Sequence, residues 1–127
     1  MKITNLFITL ILLLTIVSCQ KDTPTLTTRM DYVGECMDSK TDKSAAFSYH
    51  SSTSTLNIHK FYTDYPCKGE INISAEIKNN TIKITEQVIR QTECTCLKNI
   101  SYTIGNIPLG EYKISLNDKI IGNILVY

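Results

Sequence analysis

The chain has 127 residues, which gives room for one domain. Its 13 basic and 12 acidic residues give a formal net charge of +1, and leaving out Lys2 makes the two counts equal at 12. Because the charges balance and no basic cluster occurs, the charge gives no argument for nucleic acid or an anionic lipid surface as a partner.

The N-terminus combines one positive charge with a short apolar run. Residues 6–17 carry no charge and are fewer than the roughly 20 apolar residues that a spanning helix needs, a length typical of a cleaved signal peptide. Ile16-Val17-Ser18-Cys19 then resembles the lipobox of bacterial lipoproteins, where a cysteine receives a diacylglycerol. The resemblance implies a signal peptide over residues 1–18 and a lipid on Cys19. The alternatives are an ordinary signal peptide with an incidental cysteine, or an N-terminal membrane anchor.

Residues 19–28 are polar, rich in threonine and interrupted by Pro24, which predicts a flexible lipidated tether. Gln20-Lys21-Asp22 resembles the charged export signal that follows the lipidated cysteine in Bacteroidota lipoproteins. That resemblance implies display on the outer face of the outer membrane, and the alternative is a solvated linker facing the periplasm. Because two or more acyl chains anchor a protein stably, we expect it to stay on the outer membrane, on one face or the other.

Residues 29–127 are rich in isoleucine, threonine, tyrosine and valine, which favours strands. Segments 28–36, 45–50 and 56–62 are the first predicted strands. The pattern then predicts a hairpin over residues 70–90, whose two-residue turn is Asn79-Asn80 because asparagine tolerates positive φ. This register pairs Ile77 with Ile82, Ala75 with Ile84, Ile73 with Glu86, and Ile71 with Val88. Glu86 interrupts the apolar face, and we expect it near an edge.

Three later strands are indicated by alternating apolar residues, and the last, 120–127, is interrupted by Gly122. Between them, Ile107-Pro108-Leu109-Gly110-Glu111-Tyr112 resembles a turn into a late strand of immunoglobulin-like and prealbumin-like sandwich domains. With Cys94-Thr95-Cys96 it is also similar to a group of small Bacteroidota lipoproteins. The resemblance implies a bend at Gly110, and a Tyr112 ring packed inward with its hydroxyl bound to backbone. Short strands separated by frequent turns predict an all-β fold, either a sandwich or a small barrel. With the resemblance, we expect a small antiparallel β-sandwich stapled by disulfides.

A lipid on Cys19 leaves Cys36, Cys67, Cys94 and Cys96, and exported domains of this size favour disulfides. Cys94 and Cys96 are too far apart in an extended strand for a relaxed bridge. Extending the hairpin register favours Cys67–Cys94 with Cys36–Cys96, while the exchanged connectivity stays open. Redox chemistry and zinc binding are the alternatives, but the spacings match no known zinc pattern. We therefore predict no metal and no cofactor.

The sequence holds no motif for catalysis: its two histidines lack metalloprotease spacing, and no nucleophile elbow occurs. We predict no catalytic residues and no enzyme activity. Phe61, Tyr62 and Tyr65 form the only local aromatic cluster, a candidate binding face for a glycan or an envelope protein. The expected function is a non-enzymatic binding or accessory module of the cell envelope. The alternative is a lysozyme or protease inhibitor that presents a loop from Tyr62 to Lys68.

Overall fold

The computed structural model describes residues 23–38 and 42–127. The predicted signal peptide, Cys19 and the charged motif after it lie outside the described residues. Among the described residues there is no helix of the length and hydropathy that crossing a bilayer requires. The strands are β1 (Thr27–Val33), β2 (Ser44–His50), β3 (Thr55–Pro66), β4 (Gly69–Lys78), β5 (Thr81–Arg90), β6 (Thr95–Gly105), β7 (Gly110–Leu116) and β8 (Lys119–Val126).

The strands form two four-stranded sheets that pack face to face. The first sheet has the order β1-β6-β3-β2, and the second has the order β4-β5-β7-β8. All ladders are antiparallel except the one between β5 and β7, which is parallel. A parallel pair needs a crossover connection, and here β6 supplies it from the opposite sheet. The predicted disulfide-stapled β-sandwich is confirmed, and the parallel ladder is a feature the sequence pattern did not predict.

The core lies between the sheets and consists of the apolar residues that alternate along each strand. Burying each isoleucine or leucine side chain contributes about 1.5–3 kcal/mol before the entropy cost. The first sheet contributes the fully buried Leu56, Ile58, Ile100, Tyr102 and Ile104. The second sheet contributes Ile82, Ile84 and Ile114, with Tyr112, Leu116, Ile124 and Val126 around them.

The β4–β5 hairpin has the register that the sequence predicts. Its ladder pairs Ile77 with Ile82 and continues without a shift to Gly69 opposite Arg90. Asn79 and Asn80 take φ values of 50° and 53°, the left-handed conformation that a two-residue turn requires. The side-chain pattern and the turn chemistry therefore agree on one register.

The resemblance in residues 107–112 correctly predicts the local geometry around β7. Gly110 has a φ of 150°, and the Tyr112 ring is buried beside it. The Tyr112 hydroxyl donates to the Leu109 carbonyl oxygen at 3.4 Å. β8 is one strand from Lys119 to Val126, and its ladder with β7 is interrupted beside Gly122, where the register shifts between Ile120 and Gly122.

Both disulfides lie at one end of the sandwich. Cys36, after β1, bonds to Cys96 in β6, and Cys67, after β3, bonds to Cys94. This is the connectivity that the hairpin register favours.

The folded domain begins slightly earlier in the chain than predicted. β1 starts at Thr27, and Leu26 before it is already buried in the core. The last residues of the predicted tether, 26–28, are thus part of the folded domain.

Candidate functional site

The predicted aromatic cluster is divided by a bulge in β3. The ladder between β3 and β6 shifts register between Lys60 and Thr63. Within this bulge Tyr62 has a φ of 54°, and its backbone N–H donates to Asn99 Oδ1 at 3.1 Å. Phe61 is 40% exposed, whereas Tyr65 is only 6% exposed and belongs to the core. The three rings therefore do not form one binding face.

The predicted inhibitory loop from Tyr62 to Lys68 is corrected by the same strand. Residues 62–66 belong to β3, which pairs with β6 up to Pro66 opposite Thr95. Only Cys67 and Lys68 connect β3 to β4, and Cys67 N–H donates to the Cys94 carbonyl oxygen at 2.9 Å. Residues 63–66 of this segment pair with β6, so the segment is part of the first sheet and not a projecting loop.

The bulge instead places Phe61 beside a groove that opens on one side of the sandwich, between the two sheets. This lateral groove has a volume of about 400 Å³. The first sheet and the segment before β2 contribute Lys43, Ser44, Ala45, Lys60, Phe61, Thr63 and Asp64. The second sheet contributes Ile71, Glu86, Val88, Leu116, Asn117, Lys119 and Ile121.

A buried ion pair joins the two sheets at the base of the lateral groove. Lys60 Nζ of β3 donates to Glu86 Oε2 of β5 at 2.5 Å, and the two side chains are 17% and 5% exposed. Tyr102 of β6, fully buried, donates its hydroxyl to Glu86 Oε1 at 2.7 Å. Both carboxylate oxygens thus accept a hydrogen bond, which offsets the cost of burying the charge.

The environment of Tyr102 keeps its hydroxyl protonated. Burial disfavours the phenolate, and the negative charge and hydrogen bond of Glu86 act in the same direction, so the pKa of Tyr102 lies well above its usual range. Tyr102 is therefore a fixed hydrogen-bond donor to Glu86 at neutral pH. The base of the groove is a hydrogen-bonded polar unit that joins both sheets.

The groove exists because β7 ends before β5 does. β7 pairs with β5 from Thr81 opposite Lys113 to Ile84 opposite Leu116, and β5 then continues alone on that side to Arg90. Asn117, in the β7–β8 turn, donates its N–H to the Ile84 carbonyl oxygen at 2.9 Å. Its side-chain Oδ1 accepts from the Glu86 N–H, also at 2.9 Å. Asn117 therefore closes the ladder at the point where the groove begins.

Some of the charged side chains around the groove form ion pairs and others do not. Lys43 and Asp64 form an exposed ion pair at the rim, and Lys60 is committed to Glu86. Lys119 takes part in none of the ion pairs found within residues 23–38 and 42–127. The lining holds three lysines against two carboxylates. A bound group near Lys119 would therefore meet a net positive rim.

The four cysteines form a compact cluster, and none of them lines the groove. The Sγ atoms of Cys36, Cys67 and Cys96 lie within 4.8 Å of one another. Thiolates at such spacing could coordinate a soft metal ion, but all four sulfurs are here joined in disulfides. In this oxidised form the cluster acts as a covalent staple for β1, β3 and β6.

Sequence reasoning found Phe61 but missed Lys60, Asn117 and Lys119. The one available signal was Glu86, which interrupts an apolar face and was expected near an edge. Its side chain is buried, but its backbone does lie where β5 loses its neighbour. A carboxylate on an otherwise apolar strand face thus indicated a buried ion pair between the sheets, here Lys60–Glu86.

No protein-family model matches this chain, and neither a curated protein nor a solved structure matches it.

Proposed function

We propose that this chain is an exported lipoprotein of the cell envelope, anchored by a lipid on Cys19, and that its β-sandwich is a non-enzymatic binding module. The lateral groove is its ligand site. We also assign it to the small Bacteroidota-type lipoproteins with an immunoglobulin-like or prealbumin-like sandwich, held on the outer membrane. The sequence of residues 1–22 supports the anchor, and the two disulfides are in keeping with an oxidising compartment.

One observation carries the binding proposal: a concave site with apolar walls has fixed polar groups at its base. Phe61, Val88 and Ile121 line it beside the Lys60–Glu86 pair. A volume of about 400 Å³ lies within the usual range of about 300–1,000 Å³ for ligand sites. Exposed apolar side chains around a few oriented polar groups are typical of recognition surfaces.

The same geometry favours binding over catalysis. Glu86 accepts hydrogen bonds at both oxygens, and Tyr102 holds its proton. A general base needs an accessible lone pair and a pKa near the working pH, and a nucleophile needs an activating partner. The charged groups at the base of the groove are instead engaged with one another.

The anchor is tested by mass spectrometry of the native protein. We expect a product that lacks residues 1–18 and starts at an acylated Cys19, and a Cys19→Ala variant that is not acylated. A native product that begins at Met1 would refute the lipoprotein assignment.

The binding site is tested by photo-crosslinking in intact cells. Val88 and Ile89 are neighbours on β5 with nearly equal exposure, 40% and 39%, but only Val88 lines the groove. A photoreactive amino acid at position 88 should give a defined crosslinked species that the same group at position 89 does not give. Equal labelling from both positions, or none from position 88, would contradict a ligand site in this groove.

A further inference from the structure

The second half of β5 has a free backbone edge inside the lateral groove. The carbonyl oxygens of Asn80 and Ile84 accept from the N–H groups of Lys113 and Asn117 on the β7 side. Because backbone groups alternate sides along a strand, the groups of Glu86 and Val88 face that same side. The Glu86 N–H is taken by Asn117 Oδ1. Beyond Ile84, no strand of the described chain pairs with β5 on this side.

Native sheets usually protect such an edge. Here Glu86 and Val88 of this edge line the lateral groove. If β7 continued past Leu116, it would lie beside these two groove residues. Five residues of β5, Glu86 to Arg90, lie beyond the segment that β7 pairs with, a length of about 16 Å at the rise of a strand, and two of them line the groove. An extended polypeptide placed there would continue the sheet.

The walls of the groove specify the side chains of such a polypeptide. Ile82, Ile84 and Glu86 face the opposite sheet, and the period of two puts Val88 on the same face. Val88 is nevertheless 40% exposed, beside Ile71 and Leu116, because nothing in the described chain covers it. An inward side chain of an added strand would lie over Val88, so an apolar one fits.

The rim of the groove favours a negative charge on the bound peptide. Lys119 stands at the end of the groove without an ion pair in the described residues, and the lining as a whole carries one more lysine than carboxylates. An acidic group on the added strand would complement it. The interaction is exposed and therefore screened by salt.

We propose, resting on the proposed binding function, that the lateral groove takes an extended peptide by strand addition to Glu86–Arg90 of β5. An apolar side chain of the peptide inserts between the sheets over Val88, and an acidic group lies toward Lys119. Main-chain hydrogen bonds would supply affinity and the apolar insertion would supply selectivity, as in other strand-addition complexes.

The test uses the full acylated protein in detergent and a synthetic probe, the acetylated heptapeptide amide Thr-Ile-Thr-Glu-Thr-Ile-Thr. Two further probes carry N-methyl groups on one or the other alternate set of backbone amides. In strand addition only one set faces β5, so one methylated probe should lose at least tenfold in affinity while the other binds within about twofold of the parent. Equal effects of the two methylations, or no binding of the parent probe, would overturn the proposal.

Matched variants locate the bound probe. Val88→Ser should weaken binding at least fivefold, whereas Ile89→Ser, on the opposite face at the same exposure, should leave it within twofold. Lys119→Glu should weaken binding at low salt and have less effect at high salt. If the probe binds but Val88→Ser and Ile89→Ser behave alike, strand addition in this groove is refuted.

The crosslinking experiment separates this inference from the function it rests on. A defined crosslink from position 88 to a glycan, or to a second copy of this chain, would overturn peptide addition and leave a ligand site in the groove. A crosslink to a polypeptide other than this chain, together with asymmetric N-methyl effects, would support both.

Discussion

The ring of Phe47 in β2 lies against Gly122 in β8, so closely that a Cβ atom at position 122 would overlap the ring. The two residues belong to edge strands of opposite sheets, and their contact joins those edges. Residues near each of them, Ala45 and Ile121, line the lateral groove. Gly122 is therefore required by a close approach between sheets, and the contact fixes one wall of the site.

Gly122→Ala should destabilise the domain, although alanine is normally tolerated in a strand better than glycine. The added methyl group must displace the Phe47 ring, and overpacking of this kind costs about 1–3 kcal/mol. Urea unfolding followed by circular dichroism measures the loss. Adding Phe47→Leu to the Gly122→Ala variant should recover part of it. A Gly122→Ala variant as stable as the parent would mean that the two edges do not meet as described.

The Lys60–Glu86 pair should show strong coupling in a double-mutant cycle. Lys60→Met leaves the Glu86 carboxylate buried with only the Tyr102 hydroxyl as a partner, and breaking a buried pair costs about 3 kcal/mol. Replacing both residues, as Lys60→Met with Glu86→Leu, removes the uncompensated charge. The double variant should therefore unfold at higher urea concentration than Lys60→Met alone. If the loss of stability in the double variant equals the sum of the losses in the two single variants, the two side chains do not interact in solution.

The parts of this fold that the sequence predicts are those determined by neighbouring residues. The β4–β5 register follows from the alternation of Ile71 to Val88 and from the turn chemistry of Asn79-Asn80. The Tyr112 geometry follows from a short turn motif. In each case the residues that determine the structure lie within one hairpin or one turn, so their pattern can be recognised locally.

The groove could not be predicted in this way because it depends on where two distant strands stop. β5 continues to Arg90, and β7 leaves it after Leu116 because Asn117 and Asp118 form a tight turn with φ values of 46° and 66°. The position of this turn beside Glu86 follows only from the parallel β5–β7 pairing. The bulge that separates Phe61 from Tyr65 likewise has no signal in the sequence Phe61-Tyr62-Thr63-Asp64-Tyr65.

Tyr102 should make the stability of the domain sensitive to alkaline pH. Below about pH 10, the usual tyrosine pKa, the Tyr102 hydroxyl is protonated in both the folded and the unfolded state. Its contribution to the free energy of unfolding is then fully present. As the pH rises further, the unfolded state loses the proton while the folded state keeps it, because burial and Glu86 raise the pKa of Tyr102. The free energy of unfolding should then fall by up to about 1.4 kcal/mol per pH unit.

Urea midpoints at several pH values between 8 and 11 measure this dependence. Tyr102→Phe should be less stable than the parent at pH 8, because Glu86 Oε1 loses its donor, but should have the shallower decline above pH 10. Tyr127→Phe, at a position 79% exposed, is the control and should decline like the parent. Parallel curves for the parent and Tyr102→Phe would argue against a buried hydroxyl at position 102.

The two disulfides should contribute separately to stability and in the order of the loops they close. Cys36 and Cys96 are 60 residues apart, and Cys67 and Cys94 are 27 residues apart. In the chain-entropy model, closing these loops stabilises the folded state by about 4 kcal/mol for Cys36–Cys96 and about 3.5 kcal/mol for Cys67–Cys94. Replacing either pair by serine should lower the urea midpoint, with the larger loss for Cys36 and Cys96. Peptide mapping without reduction should recover Cys36 linked to Cys96 and Cys67 linked to Cys94. Recovery of the exchanged pairs would contradict both the predicted hairpin register and the observed arrangement of β3, β4 and β6.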